Sequence, residues 1–230
     1  MLNVNHLSVV YPDGKRAVDH VSFQAGPGET IALIGANGAG KTSLLLALMG
    51  VLEAKSGEVS FNGLSLNKKN LPEFRSRLGL VFQDPDDQLF MPNVYEDVVF
   101  GPRNLGFSED KTREFAERAL DQLRISDLRL RSPLTLSGGE KRLAAIAAVL
   151  SMQPEFLLFD EPTAFLDPRA RRDLRGILQN LPQSKLIATH DLAFAADICT
   201  RTLVLKDGAL AADGGAALLQ DAALLESVGL

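Results

Sequence analysis

The apolar positions change period along the chain. Residues 2–11 alternate loosely, with Leu2, Val4, Leu7, Val9 and Tyr11 apolar, and Ala17–Ala25 continues the pattern with Val21 and Phe23 on one face. Pro12-Asp13-Gly14-Lys15 separates them as a turn, so the chain opens with antiparallel strands. Thr30–Ile34 is an unbroken apolar run that predicts a buried strand, and Ser43–Met49 reads as a helix. Val59–Phe61 is a strand leading into an Asn62-Gly63 turn, and Arg77–Phe82 is another. The segment Asp84–Phe90 is too polar, and too broken by Pro85, for regular structure.

From about residue 93 the period becomes helical. Asn93-x-x-Glu96 is a capping box that opens a helix ending near Pro102. Ser108 starts a second helix, with Phe115, Ala119, Leu120 and Leu123 on one face, and Lys141–Met152 is a third. Phe156–Phe159 is apolar and runs into Asp160-Glu161, a buried strand whose C-terminal end carries acid. Asp167 caps, and Pro168 opens, a helix with Leu174, Ile177, Leu178 and Leu181 as its apolar stripe. Lys185–Thr189 is a further core strand ending at His190, residues 202–206 and 209–213 form a hairpin on Asp207-Gly208, and an Ala/Leu-rich helix follows from about 216. Strands alternating with helices predict an α/β fold with a mostly parallel sheet and ligands at the carboxyl ends of its strands. The expected organisation is one domain over 1–230: an α/β core from 1–83 and 153–230, opened by an antiparallel β-subdomain, with a helical insertion over 84–152.

Composition narrows the class. With 230 residues, 46% apolar and 23% charged, the chain suits a globular domain with a sizeable core. Its longest apolar run, Leu143–Leu150, is far short of the ~18 residues that a membrane span needs. No secretory signal is expected at the N-terminus. A single cysteine, Cys199, excludes an intramolecular disulfide and fits a reducing compartment. A net charge of −5 argues against a broad footprint on nucleic acid.

The chemistry begins at Gly35-Ala36-Asn37-Gly38-Ala39-Gly40-Lys41-Thr42, followed by Ser43, between a strand and a helix. That context turns a pattern into a phosphate-binding loop and a P-loop NTPase core. The glycines let backbone N–H groups converge on a polyphosphate, and the helix N-terminus adds donors and partial positive charge. Lys41 is placed to reach the β- and γ-phosphates and Thr42 to bind Mg²⁺. Tyr11 offers an aromatic face on which a base could stack. Leu136-Ser137-Gly138-Gly139-Glu140 opens another helix and is a second anion site. His6 and His20, in the opening strands, read as structural.

The phosphate loop, Leu136–Glu140, and Leu157–Glu161 followed by His190, in this order and spacing, resemble the nucleotide-binding subunit of an ATP-binding-cassette (ABC) transporter across essentially the whole chain. The resemblance implies ATP and Mg²⁺ as ligands. It implies that Asp160 holds Mg²⁺, that Glu161 is the general base toward the attacking water, that Gln83 senses the γ-phosphate and the metal, and that His190 contacts the γ-phosphate. It also implies that two subunits, identical or paralogous, pack head to tail, so that Ser137, Gly138, Gly139 and Glu140 of each close on the partner's ATP, with Asp167 linking the two sites. Glu140 stands where many relatives have glutamine, and Phe165 where a small residue is frequent.

Within that family, Val81–Phe90 and Glu96–Gly106 resemble the energy-coupling-factor branch, importers of cobalt, nickel and vitamins. Pro162–Arg172, with little chain after residue 213, resembles the cobalt or nickel subunits more than the vitamin type, biotin included. The branch implies an integral membrane energy-coupling subunit docking near Gln83–Phe90, a substrate-binding membrane protein engaged indirectly, and a place on the cytoplasmic face of the membrane. Asp84, Asp86 and Asp87 would suit an arginine on the docking helix. DNA-repair cassettes need long coiled coils that are lacking here. Translation-associated cassettes need two copies in one chain, and a P-loop kinase would leave Leu136–Glu140 unexplained.

Overall fold

The computed structural model describes residues 1–230. Its first sheet is antiparallel: β1 (Leu2–Val10) pairs with β2 (Arg16–Ala25) and with β4 (Ser56–Phe61), and the short β5 (Leu64–Ser65) adds to β4. Three register shifts interrupt the β1–β2 ribbon, the first two at His6 and His20. These residues have φ of 47° and 50°, their rings exposed. Their N–H groups leave the ladder and donate to Ser22 Oγ at 2.7 Å and Ser8 Oγ at 3.0 Å.

The second sheet has the order β10-β9-β3-β8-β7-β6. β3 (Thr30–Ile34), β6 (Leu78–Val81), β7 (Phe156–Asp160), β8 (Ser184–Ala188) and β9 (Arg201–Lys206) run parallel. β10 (Ala209–Gly215) returns antiparallel through Asp207-Gly208, whose φ values of 48° and 82° match the primed turn that follows strand twist. The parallel strands are buried on both faces, which is why they read as continuous apolar runs rather than alternating ones, whereas the edge strand β10 is exposed along one side. Ile31 and Leu33 face one core with the first sheet and α1 (Lys41–Leu48), while Ala32 and Ile34 face the other with the helices.

Those helices are α3 (Val94–Asn104), α4 (Glu109–Gln122), α5 (Gly138–Leu150), α6 (Pro168–Asn180) and α7 (Leu192–Ile198). The first three pack on one another. Two short helices escaped the periodicity: α2 (Leu71–Arg77), built around the fully buried Phe74, and α7, capped by Asp191, which accepts from Phe194 N–H. Seven residues give too few apolar repeats to register a period. After β10 comes a short 3₁₀ stretch and then α8 (Ala222–Ser227) rather than one helix from 216.

Two expected boundaries move. α5 begins at Gly138, not Lys141, because Ser137 and Glu140 complete a capping box. α3 passes through Pro102 and ends two residues beyond it, at Asn104. Proline has no N–H to give the carbonyl four residues back. That carbonyl, Val98 O, instead accepts from the buried Ser151 Oγ at 2.7 Å, at the end of α5.

Candidate nucleotide site

The phosphate loop is held open by what its neighbours forbid. A Cβ at Gly40 would lie 2.2 Å from Ala17 O, and the residue has φ 105°, so only glycine fits where β2 crosses the loop. At Gly38, with φ 83°, a Cβ would meet nothing, and the position faces open space. Lys41 is 7% exposed, and its Nζ donates to Gly35 O at 2.7 Å and Ala36 O at 3.3 Å, inside the bowl of the loop.

One cavity of about 430 Å³ is lined by Tyr11, Asn37, Gly38, Gly40, Lys41, Thr42, Ser43, Gln83, Asp160, Glu161 and His190. The fold thus gathers residues from β1 to α7 at the carboxyl ends of β3, β6, β7 and β8. Gly35 and Ala39 shape the loop from behind; a Cβ at Gly35 would lie 2.3 Å from Leu205 O, and Ala39 is buried. The Tyr11 hydroxyl and Ser43 Oγ are 3.0 Å apart, which fixes the phenol at the cavity wall.

The acids differ in their surroundings. Thr42 Oγ1 donates to Asp160 Oδ2 at 2.7 Å, while Asp160 Oδ1 is buried with no partner. Burial pushes the Asp160 carboxyl above the usual range, against the Thr42 hydrogen bond. An orphaned buried carboxylate oxygen beside a threonine hydroxyl fits a divalent cation that completes its shell with phosphate oxygens and water. No cluster of three or more His, Cys, Asp or Glu side chains forms an all-protein cage. Glu161 stands at φ 43°, with its N–H donating to Ala188 O at 2.8 Å. Its carboxylate accepts from Thr189 Oγ1 at 3.1 Å and His190 N–H at 3.2 Å, meets His190 Nδ1 at 2.9 Å, and lies 3.8 Å from Lys41 Nζ. Such a carboxylate is aimed, buried and close to the phosphate-binding amine, which suits a base acting on water.

Ser137, Gly139 and Glu140 are elsewhere. They line a separate cavity of about 410 Å³ with Asp167, which shares no residue with the first. Ser137 Oγ accepts from Glu140 N–H at 3.3 Å, and Glu140 Oε2 accepts from Ser137 N–H at 2.7 Å, which holds the Glu140 carboxyl below its usual range. Asp167 Oδ1 accepts from Arg169 and Ala170 N–H at 2.8 and 2.9 Å, and Phe165 next to it is 85% exposed at φ 62°.

The acidic segment after Gln83 is less free than its sequence suggests. Asp84 accepts from Asp86 N–H at 2.9 Å, and Asp86 is ion-paired to Lys141 Nζ at 2.6 Å, while Asp87 makes no side-chain bond. Two residues that charge and motif reading passed over stand close to the site. Thr189 orients Glu161, and Arg142, 1% exposed, reaches the carbonyls of Phe82 and Gln83. An arginine on the buried side of the Ala-rich stretch 141–150 was the available signal.

The ABC transporter family model matches residues 18–164. The chain belongs to the ABC transporter family. It is an ATP-binding ABC ATPase subunit. A relative in Streptomyces coelicolor, 48% identical over 98% of this chain and 87% of that one, is named for the ABC transporter class alone. The energy-coupling factor transporter ATP-binding protein EcfA of Carboxydothermus hydrogenoformans is 41% identical over 100% of this chain and 86% of that one. The cobalt import ATP-binding protein CbiO of Rhodobacter capsulatus is 44% identical over 100% and 84%. Among solved structures, cbiO1 of Clostridium perfringens, described as part of the ABC transporter complex cbiONQ, superposes with a TM-score of 0.86 at 34% identity, covering 97% of this chain and 92% of that one. No helix is long and apolar enough to cross a membrane.

Proposed function

We propose that this ABC ATPase subunit powers an energy-coupling-factor importer of cobalt or nickel ions from the cytoplasmic face of the membrane, working as a head-to-tail pair with a second cassette subunit. The observation that carries the pairing is that the Ser137 helix tip and the phosphate loop line cavities with no residue in common. One triphosphate bound at Lys41 therefore has no use for Ser137 of its own chain. The names of the EcfA and CbiO relatives support the importer branch and the metal cargo.

In this reading the loop from Gly35 to Ser43 grips the phosphates, Lys41 neutralises them, and Tyr11 carries the base. Thr42, Gln83 and Asp160 hold Mg²⁺, which when bound draws charge off the phosphate oxygens. Glu161 takes the proton of the attacking water, and His190, touching both Glu161 and the cavity, fixes the base. Residues 84–152 act as one helical insertion. Asp87, with the edge-to-face pair Phe90 and Phe100 at 4.9 Å, faces the integral membrane energy-coupling subunit, and the substrate-binding membrane protein is reached only through it. Nucleic acid has no place in this scheme.

A mixing experiment tests the pairing between copies of this chain. Lys41→Ala ruins the phosphate loop of one copy and Ser137→Arg the helix tip of another. Each is inactive alone, and a head-to-tail mixture regains one intact site. Mixtures as dead as their parents would remove the pairing of copies. Co-purification from membranes, with cellular cobalt and nickel measured with and without the gene, tests the importer. A vitamin-binding membrane protein in the complex would overturn the metal cargo.

A further inference from the structure

The N-terminus of α5 carries Ser137, and the same helix, little more than one turn on, holds the segment that carries Gln83. Arg142 is 1% exposed; its Nη1 donates to Phe82 O at 2.6 Å and its Nη2 to Gln83 O at 2.5 Å. A rigid guanidinium fork thus sits on two consecutive main-chain carbonyls. Two further ties run between the same pieces. Gln88 Nε2 donates to Ala145 O at 2.6 Å and its Oε1 accepts from Phe82 N–H at 3.2 Å, while Lys141 pairs with Asp86. Arg142 makes no carboxylate ion pair, and its Nε is buried without a partner. Burial lowers its pKa to about 10, opposed by the charges of Asp84 and Asp160, so the group stays cationic near neutral pH.

A buried cation that spends its bonded donors on loop carbonyls does little for the core that an apolar side chain of equal volume would not do better. What it does fix is the main chain of Gln83, a residue that lines the cavity with Asp160, Thr42 and Lys41. We propose that Arg142 is a positioning residue for ATP hydrolysis, clamping the Gln83 main chain to the helix that bears Ser137, so that both nucleotide-facing groups of the chain move as one body. The inference rests on the assignment of Gln83 and Ser137 to nucleotide made above.

The test is a double-mutant cycle on the purified full chain, read as melting temperature, fluorescent Mg-ATP affinity and ATPase kcat. Arg142→Lys keeps the charge and loses the fork. It is expected to melt near the parent and bind Mg-ATP with unchanged affinity, while kcat falls about 10- to 100-fold, as misplacement of an otherwise intact group does. Adding Gln83→Ala should then cost no more than Gln83→Ala alone, because both changes remove one function. A residue that merely stabilises the fold gives penalties that multiply. Unchanged kcat in Arg142→Lys, multiplying penalties, or affinity and kcat lost together overturns the clamp. If Gln83→Ala itself leaves kcat untouched, the assignment of Gln83 fails first and the clamp with it. Should Arg142→Lys not fold, Gln88→Met removes the parallel tie from a less buried position. A smaller fall in kcat, again absorbed by Gln83→Ala, supports the clamp, and multiplying penalties overturn it.

Discussion

The Thr42 hydroxyl donates to Asp160 Oδ2 at 2.7 Å, joining the first turn of α1 to the acidic end of β7 across 118 residues of chain. It leaves Asp160 Oδ1 buried and unsatisfied. Asp160→Asn keeps the shape and removes the charge. Metal-dependent ATP hydrolysis is expected to fall by about 100-fold or more, the scale at which loss of one preorganised electrostatic partner acts. The Mg²⁺ concentration for half-maximal ATPase activity should rise in parallel. Normal Mg²⁺ dependence in this variant would remove Asp160 from the metal site.

Glu161→Gln should bind ATP as the parent does and turn it over about 10²- to 10⁴-fold more slowly, the range of a missing general base. The amide still accepts from Thr189 and His190 N–H at one oxygen, so the fold keeps its contacts there. Single-turnover ATP cleavage, with nucleotide affinity measured alongside, separates chemistry from binding.

Ser151→Ala removes the hydroxyl that stands in at Val98 O for the N–H that Pro102 lacks. The expected loss of stability is about 1–3 kcal/mol, the cost of an unpaired buried polar group, read as a lower urea midpoint with unchanged slope. Ser151→Thr keeps the hydroxyl and should recover part of it.

Asp97 and Glu140 should give pH dependences of opposite sign. Burial raises the Asp97 carboxyl, whose Oδ1 accepts from Phe90 and Met91 N–H at 3.0 Å each. Its contribution to stability is therefore present below the ordinary carboxylate value and lost as pH rises through the raised one. The Ser137 N–H lowers Glu140, so its contribution is present above the ordinary value and lost as pH falls through the lowered one. Melting scans across the acid range should show both slopes in the parent, with Asp97→Asn lacking the first and Glu140→Gln the second. Ser137→Ala, which removes the cap itself, should cost about 1 kcal/mol at neutral pH.

Helix α7 and the path of α3 show where reading along the chain loses information. The strand Thr30–Ile34 and the glycine loop after it announce themselves because the cause is local: an apolar run, then residues without side chains where the backbone must turn. Pro102 announces a helix end by the same local logic, and α3 still runs two residues past it, with the substitute bond coming from Ser151 at the end of a different helix. Asp86 reads as a free acid for the same reason, since nothing nearby in sequence reveals that Lys141 holds it.

The amino-acid order by itself determined the periods, the caps at Asn93, Ser108, Ser137 and Asp167, the phosphate loop and the acidic strand end, because each of these is decided by neighbours within a turn or a strand. Only the tertiary structure decided which of the chemical groups share a cavity, that Ser137 is not among them, and that Arg142 spends its charge on the Gln83 backbone. Those outcomes depend on carbonyls, hydroxyls and carboxylates brought together from distant segments, where the competition among partners is settled by packing and not by sequence spacing.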